Sequence, residues 1–312
     1  MKVLEAPSAS FDIELLADWM EVCALTDRDG RCSVEDLVSA LRTTGSIDAI
    51  DDDPDADSGS EETQSIAESA FGLIAQRSAS IQAKKYPFEL VNMRIEVTDG
   101  GRQSTYAFLV LSSYLGGQTG SSLSSYTRLF EDISAQAARN YFGGNATSAV
   151  LYQMGWPRRA GQPTAFSEAV NQMMRHMKEG GAVKDRPGTD EHKDGKLDIA
   201  VWIPMSDDRA GKVIGFAQCA TGNNWKEKIY ELQPDNWCRA WLTETPAVLP
   251  LPMFFLPHSI SADSWFRVST YAGVVFDRVR IASHTDTLPD ALRLQVESWT
   301  STALSEYEVA VA

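Results

Sequence analysis

One stretch decides the reading: Lys193-Asp194-Gly195-Lys196-Leu197-Asp198-Ile199, followed by Val213-Ile214-Gly215-Phe216-Ala217-Gln218-Cys219-Ala220-Thr221-Gly222. Its apolar runs predict neighbouring strands over 197–203 and 212–218, joined by a polar turn at 206–211. Asp198 opens the first strand and Gln218 ends the second, with 19 residues between them. The two side chains are expected on adjacent strands, facing one pocket. A helix starts near Asn223, with Trp225, Ile229 and Leu232 on one face.

Metal-dependent phosphodiester cleavage needs carboxylate or carbonyl oxygens to hold Mg²⁺, a hard cation that prefers oxygen ligands. It also benefits from a lysine that orients water and offsets phosphate charge. The order acid, strand, turn, strand, Gln, helix in this chain resembles the PD-(D/E)XK restriction-endonuclease superfamily. That superfamily carries an acid on one strand and (D/E)-x-K on the next, and Mrr-like branches replace the second acid with Gln. The resemblance implies an α/β fold with a mixed central sheet flanked by helices. It also implies Mg²⁺ or Mn²⁺ held by Asp198, Gln218 and the Cys219 carbonyl, and a DNA substrate.

The chain departs from the pattern at Ala220, two residues after Gln218, where the lysine is missing. The family permits that lysine to migrate to the following helix, where Lys226 and Lys228 are available. At ~100° per residue from Trp225, the apolar stripe runs near Ile229 (~40°) and Leu232 (~−20°). Lys228 falls at ~−60°, flanking the stripe, and Lys226 at ~100°; Lys228 is therefore expected to act. Many members also supply a glutamate from an early helix, and Glu131 and Glu168 are the options. Glu168 projects nearly opposite its helix's stripe and Glu131 lies ~140° from its own, so either can be the third acid.

Around this centre, Tyr126, Leu129, Phe130, Ile133 and Ala137 line one helix ending at Gly143-Gly144, and Phe166, Val170, Met173, Met174 and Met177 line another. The methionines are read as core filling. Further strands are expected at 253–256 and 274–276. The 273–280 run is read as a strand ending in polar groups, whose Arg278 and Arg280 meet phosphate or, for Arg278, pair with Asp277. The tryptophans at 225, 237, 241 and 265 are assigned to core packing ahead of base stacking.

Upstream, 1–46 reads as a helical N-terminal region, 47–63 as an acidic disordered linker, 64–118 as a helix plus β-hairpin subdomain, and 119–312 as the restriction-endonuclease-like domain. Read as an EF-hand loop, the Asp27–Gly30 break puts Leu25 at the first ligand position and Asp36, not the usual Glu, at the twelfth, so a polar turn is expected there. Between Asp48 and Glu62 there are eight acidic residues and no basic one, a composition too polar to offset ordering entropy. A helix is expected over 66–81, then strands over 86–98 and 105–114 joined at Asp99-Gly100-Gly101. The 116–122 loop lacks the lysine of a phosphate loop, which excludes an NTPase.

Four cysteines without CxxC spacing indicate neither a zinc knuckle nor a disulfide framework and fit a reducing cytoplasm. No apolar run is long enough to span a bilayer, and the first ten residues lack a secretory pattern. No Gly-x-Ser-x-Gly elbow is present, Cys219 has no evident His partner, and His192, His258 and His284 lack ligand spacing. The net charge of −15 argues against tight nucleic-acid binding by the overall field, and suggests a protein partner, such as a helicase or sensor subunit, that delivers the substrate. The leading expectation is a Mg²⁺-dependent DNA endonuclease, by analogy an effector of a restriction-like or anti-phage system. The alternative is an inactive nuclease-fold subunit acting as a binding or scaffold protein. A regulator built on the N-terminal helices is a third class.

Overall fold

The two quoted strands lie inside a five-stranded sheet. A computed structural model describes residues 2–4, 7, 12–43, 58–81, 85–115, 125–285 and 287–309. The chain begins with β1 (Lys2–Leu4), α1 (Ile13–Thr26), β2 (Arg31–Ser33), α2 (Val34–Thr43), α3 (Ser58–Ser80), β3 (Phe88–Val91), β4 (Arg94–Val97) and α4 (Thr105–Leu115). It continues through α5 (Tyr126–Tyr141), β5 (Val150–Gln153), α6 (Phe166–Met177), β6 (Ile199–Trp202), β7 (Ile214–Cys219), α7 (Trp225–Lys228), α8 (Pro234–Trp241) and β8 (Leu251–Phe255). It closes with α9 (Ala262–Ala272), β9 (Val274–Phe276), α10 (Arg278–Ser283), α11 (Asp290–Glu306) and β10 (Tyr307–Val309).

The molecule is thus α/β with a mixed sheet of order β5-β6-β7-β8-β9, antiparallel from β5 to β7 and parallel from β7 to β9. A small antiparallel sheet, β2-β4-β3, and the parallel pair β1-β10 complete it. β6 and almost all of β7 are buried, as expected of strands covered on both faces. Ile199, Val201 and Ala217 point into a core shared with α5 and, without a break, with the N-terminal helices, α4 and α11. Ala200, Trp202, Ile214 and Phe216 point the other way, into a core built with α6 and α8. Met173, Met174 and Met177 fill that second core, as their spacing implies. A third core sits beyond the end of β7, where Ala220, Trp225, Ile229 and Phe254 meet α9 residues.

The structure corrects several readings. The 105–114 run is not a strand but the buried helix α4. An unbroken apolar run carries no period to separate the two, and length has to decide. The local signal was Ser104, whose hydroxyl accepts from the Ala107 N–H at 3.1 Å and starts the helix. The 86–98 segment is itself a hairpin, turning at Asn92 and Met93, both at positive φ. Residues 58–63, assigned to the linker, begin α3; the rest of that expected disordered segment, 47–57, lies outside the described residues. The helix expected from Asn223 through Leu232 stops at Lys228, and Pro234 opens a separate helix as its first residue.

The strand expected to run to Arg280 ends at Phe276. Asp277 caps α10, accepting from the Arg280 N–H at 3.0 Å. Arg278 neither pairs with Asp277 nor reaches solvent. It is 0% exposed and binds Asp18 at 2.7 Å and Glu21 at 2.9 Å, both on α1. Arg77 of α3 joins the same cluster through Glu14, Asp18 and Glu21, and the Tyr86 and Tyr106 hydroxyls donate to Glu21. This buried cluster ties the N-terminal helices to the far end of the sheet, so Arg278 is structural. Trp225 and Trp237 are buried core residues, as expected.

Candidate active site

Asp198 stands one residue before β6. Its N–H donates to the Ala217 carbonyl at 2.9 Å, and its own carbonyl accepts from Met154 at 2.6 Å and Gly155 at 3.2 Å. The β6–β7 register ends at Ile199 opposite Ala217, and the Asp198 N–H reaches that same Ala217 carbonyl, so Asp198 stands just outside the regular ladder. Gln218, two residues beyond Phe216 in β7, shares the Phe216 face, directed away from α5, whereas Ala217 and Cys219 face α5. The Asp198 carboxylate accepts the Cys219 N–H at 2.7 Å. Burial raises its pKa to about 7 against that hydrogen bond; Asp194 adds repulsion, and Lys228 and Lys196 favour the charged form.

Gln218 is 5% exposed. Its Nε2 donates to Glu231 Oε2 at 2.6 Å, and that carboxylate also meets Lys196 Nζ at 3.3 Å. Gln218 Oε1 is buried with no hydrogen-bond partner. An orphaned amide oxygen of this kind costs about 1–3 kcal/mol unless something electropositive satisfies it. Cys219 packs on the α5 side of the sheet, and burial pushes its thiol well up.

Of the two candidate glutamates, the structure brings Glu131 to this place and leaves Glu168 exposed on α6. Glu131 projects from α5 so that its carboxylate lies against Gly155, the residue bonded to the Asp198 carbonyl. A Cβ at position 155 would stand 2.5 Å from Glu131 Oε2, so a side chain there would push the carboxylate aside. Burial raises the Glu131 pKa to about 8, and the Asp198 charge adds to that; Arg128 acts against them, while Asp132 and Asp194 raise it further. Two buried carboxylates that repel each other hold protons near neutral pH unless a cation joins them. Arg159 Nη2 lies 3.4 Å from Glu131 and 2.6 Å from Asp132.

The lysines divide as the wheel suggests, although the helix is shorter than expected. Lys228 is half-buried and is the first cation favouring ionised Asp198. Lys226 is exposed, its Nζ 5.8 Å from the Trp225 ring centroid. Ala220, where the strand lysine is missing, is buried against Trp225 and Ile229 in the third core. α7 thus occupies the space such a lysine would need, and Lys228 stands on the element that took it.

Sequence reasoning passed over Lys196, Asp194, Glu231, Arg159 and Asp132. Asp194 and Lys196 had a local signal: Lys196 N–H donates to Asp194 Oδ1 at 2.9 Å in a turn with positive φ at Gly195 and Lys196. Glu231, Arg159 and Asp132 arrive from separate elements, and no spacing announces them.

The Glu131 and Asp198 carboxylates are hard oxygen donors, the chemistry a Mg²⁺-type ion takes. Among the described residues, no group of three or more His, Cys, Asp or Glu side chains is arranged to hold a metal; a cation here would rely on two carboxylates. No helix among the described residues is long and apolar enough to cross a membrane. No family model, no curated protein and no solved structure matches this chain.

Proposed function

We propose that this chain is a metal-dependent nuclease of the restriction-endonuclease-like type that hydrolyses DNA phosphodiester bonds. One observation carries the reading: the buried Asp198 carboxylate, fixed on the Cys219 N–H at 2.7 Å, has a second desolvated carboxylate, Glu131, beside it. A mixed sheet covered by helices on both faces agrees with the resemblance. A bound Mg²⁺ or Mn²⁺ supplies charge neutralisation and a more acidic water.

Glu131 and Asp198 would hold the ion, and the Cys219 N–H fixes the Asp198 carboxylate. Lys228 orients the attacking water and offsets charge on the phosphate. Water oxygen bonds to phosphorus as the phosphorus–oxygen bond to one sugar breaks. The net charge of −15 favours delivery of DNA by a partner such as a helicase or sensor subunit, in a restriction-like or anti-phage setting. Cleavage of plasmid and linear DNA in Mg²⁺, in Mn²⁺ and in EDTA, by wild type and Asp198→Ala, tests the reading. Metal-dependent cutting lost in the variant supports it; equal products from both proteins refute it.

A second reading, an inactive nuclease fold that serves as a binding or scaffold subunit, is favoured by the buried Ala220 and by the Gln218 amide held on Glu231. It predicts no cutting by wild type under any metal.

A further inference from the structure

Trp156 follows Gly155, the residue against which the Glu131 carboxylate rests. Of the eight tryptophans in the chain, it alone is exposed, at 44%. A large aromatic ring left in water costs apolar surface, and this one stands at the mouth of the site. Arg158 lies over the ring, 5.7 Å from its centroid.

The segment that carries the ring is stapled in place. Arg158 donates to the Met154 and Lys193 carbonyls, and Arg128 of α5 donates to the Pro157 carbonyl. Arg159 holds Asp132 at 2.6 Å. After these bonds, Arg158 Nε and Arg159 Nε and Nη1 remain buried donors with no acceptor. In a chain of net charge −15, three arginines are gathered here beside one exposed indole.

We propose that the Trp156–Arg159 segment is a binding platform for single-stranded DNA: a base stacks on the exposed Trp156, and the partly exposed Arg158 and Arg159 beside it offset phosphate charge. The proposal rests on the nuclease reading for its location, but its chemistry is separate. In a duplex the base faces are already covered by their neighbours and only edges and backbone are presented. A single strand offers free faces, and stacking on an aromatic tolerates any sequence. An indole beside the carboxylates therefore selects unpaired strands, flaps or frayed ends over blunt duplex.

The test is fluorescence anisotropy of the full chain with a labelled oligothymidylate and with a blunt duplex of equal length, in EDTA at low salt so that nothing is cut. Wild type is expected to bind the single strand more tightly than the duplex. Trp156→Ala is expected to lose roughly tenfold or more of single-strand affinity with little change on duplex, and Trp156→Phe to retain most of it. Single-strand binding by Trp156→Ala equal to wild type, a wild-type preference for duplex, or no binding of either polymer overturns the proposal. Cutting assays with Asp198→Ala keep the two readings apart. Asp198-dependent cutting with no effect of Trp156→Ala leaves the nuclease and removes the platform. Trp156-dependent binding without cutting does the reverse.

Discussion

Replacing Arg278 with methionine removes the central cation of the buried cluster while keeping an unbranched stem. The guanidinium donates to the Pro257 carbonyl at 2.9 Å, to Asp18 at 2.9 and 2.7 Å, to Glu21 at 2.9 Å and to Ser113 at 3.0 Å. Without it, Glu14, Asp18 and Glu21 share Arg77 alone. Breaking a buried pair by removing one partner costs about 3–5 kcal/mol, because the other charge stays buried. That is a large part of the ~5–15 kcal/mol by which a domain is stable. Equilibrium urea unfolding at neutral pH reads it directly, and Arg278→Lys should fall between, since an ammonium keeps the charge but loses the planar fork.

The pH dependence has a definite sign. Burial pushes the Asp18 carboxyl up, but Arg278 and Arg77 outweigh it and hold it below the usual value. Its contribution is therefore present above the unfolded pKa of ~3.9 and is lost as pH falls through the lower folded value. The gap between wild type and Arg278→Met should narrow on acidification. A variant within about 1 kcal/mol of wild type at pH 7, below the cost of a buried unpaired charge, refutes the structural role given to the cluster.

The site carboxylates carry the opposite sign. Asp198 and Glu131, at about 7 and about 8, titrate above their unfolded values. Their metal-free contribution is full below pH ~4 and is lost as pH rises through 7 and 8. Asp198→Asn should therefore melt higher than wild type at pH 8 in EDTA, by scanning fluorimetry, and Mg²⁺ should stabilise wild type more than the variant; a lower melting point in EDTA counts against the desolvated pair. Lys228→Ala should abolish single-turnover cleavage with folding intact, while Lys226→Ala, lacking one exposed phosphate contact, should be milder; wild-type cutting by Lys228→Ala removes the migrated-lysine assignment.

The alternation of apolar runs made β6 and β7 legible, because strand pairing across a short polar turn is a local matter. Helices α5 and α6 were legible for the same reason, their stripes being amphipathic. α4 was not, since a helix buried on every side has no polar face to reveal its period. Lys228 was favoured by a wheel that ran through Leu232, although Pro234 forces a break; Trp225 and Ile229 alone fix the covered face, beside which Lys228 is half-buried and Lys226 exposed. Nothing in the spacing could choose between Glu131 and Glu168. That choice is made by Gly155, which lets a carboxylate lie against the chain beside Asp198. Arg278 looked like a surface phosphate contact because its partners Asp18 and Glu21 are more than 250 residues away.

The most direct test of the site is a crystal structure of the protein soaked in Mn²⁺, with the ion located by its anomalous scattering. The account predicts one strong peak bounded by the Glu131 and Asp198 carboxylates, with Lys228 directed toward its open side. A map with no peak there, or with the ion on other residues while Glu131 and Asp198 keep their protons, contradicts it.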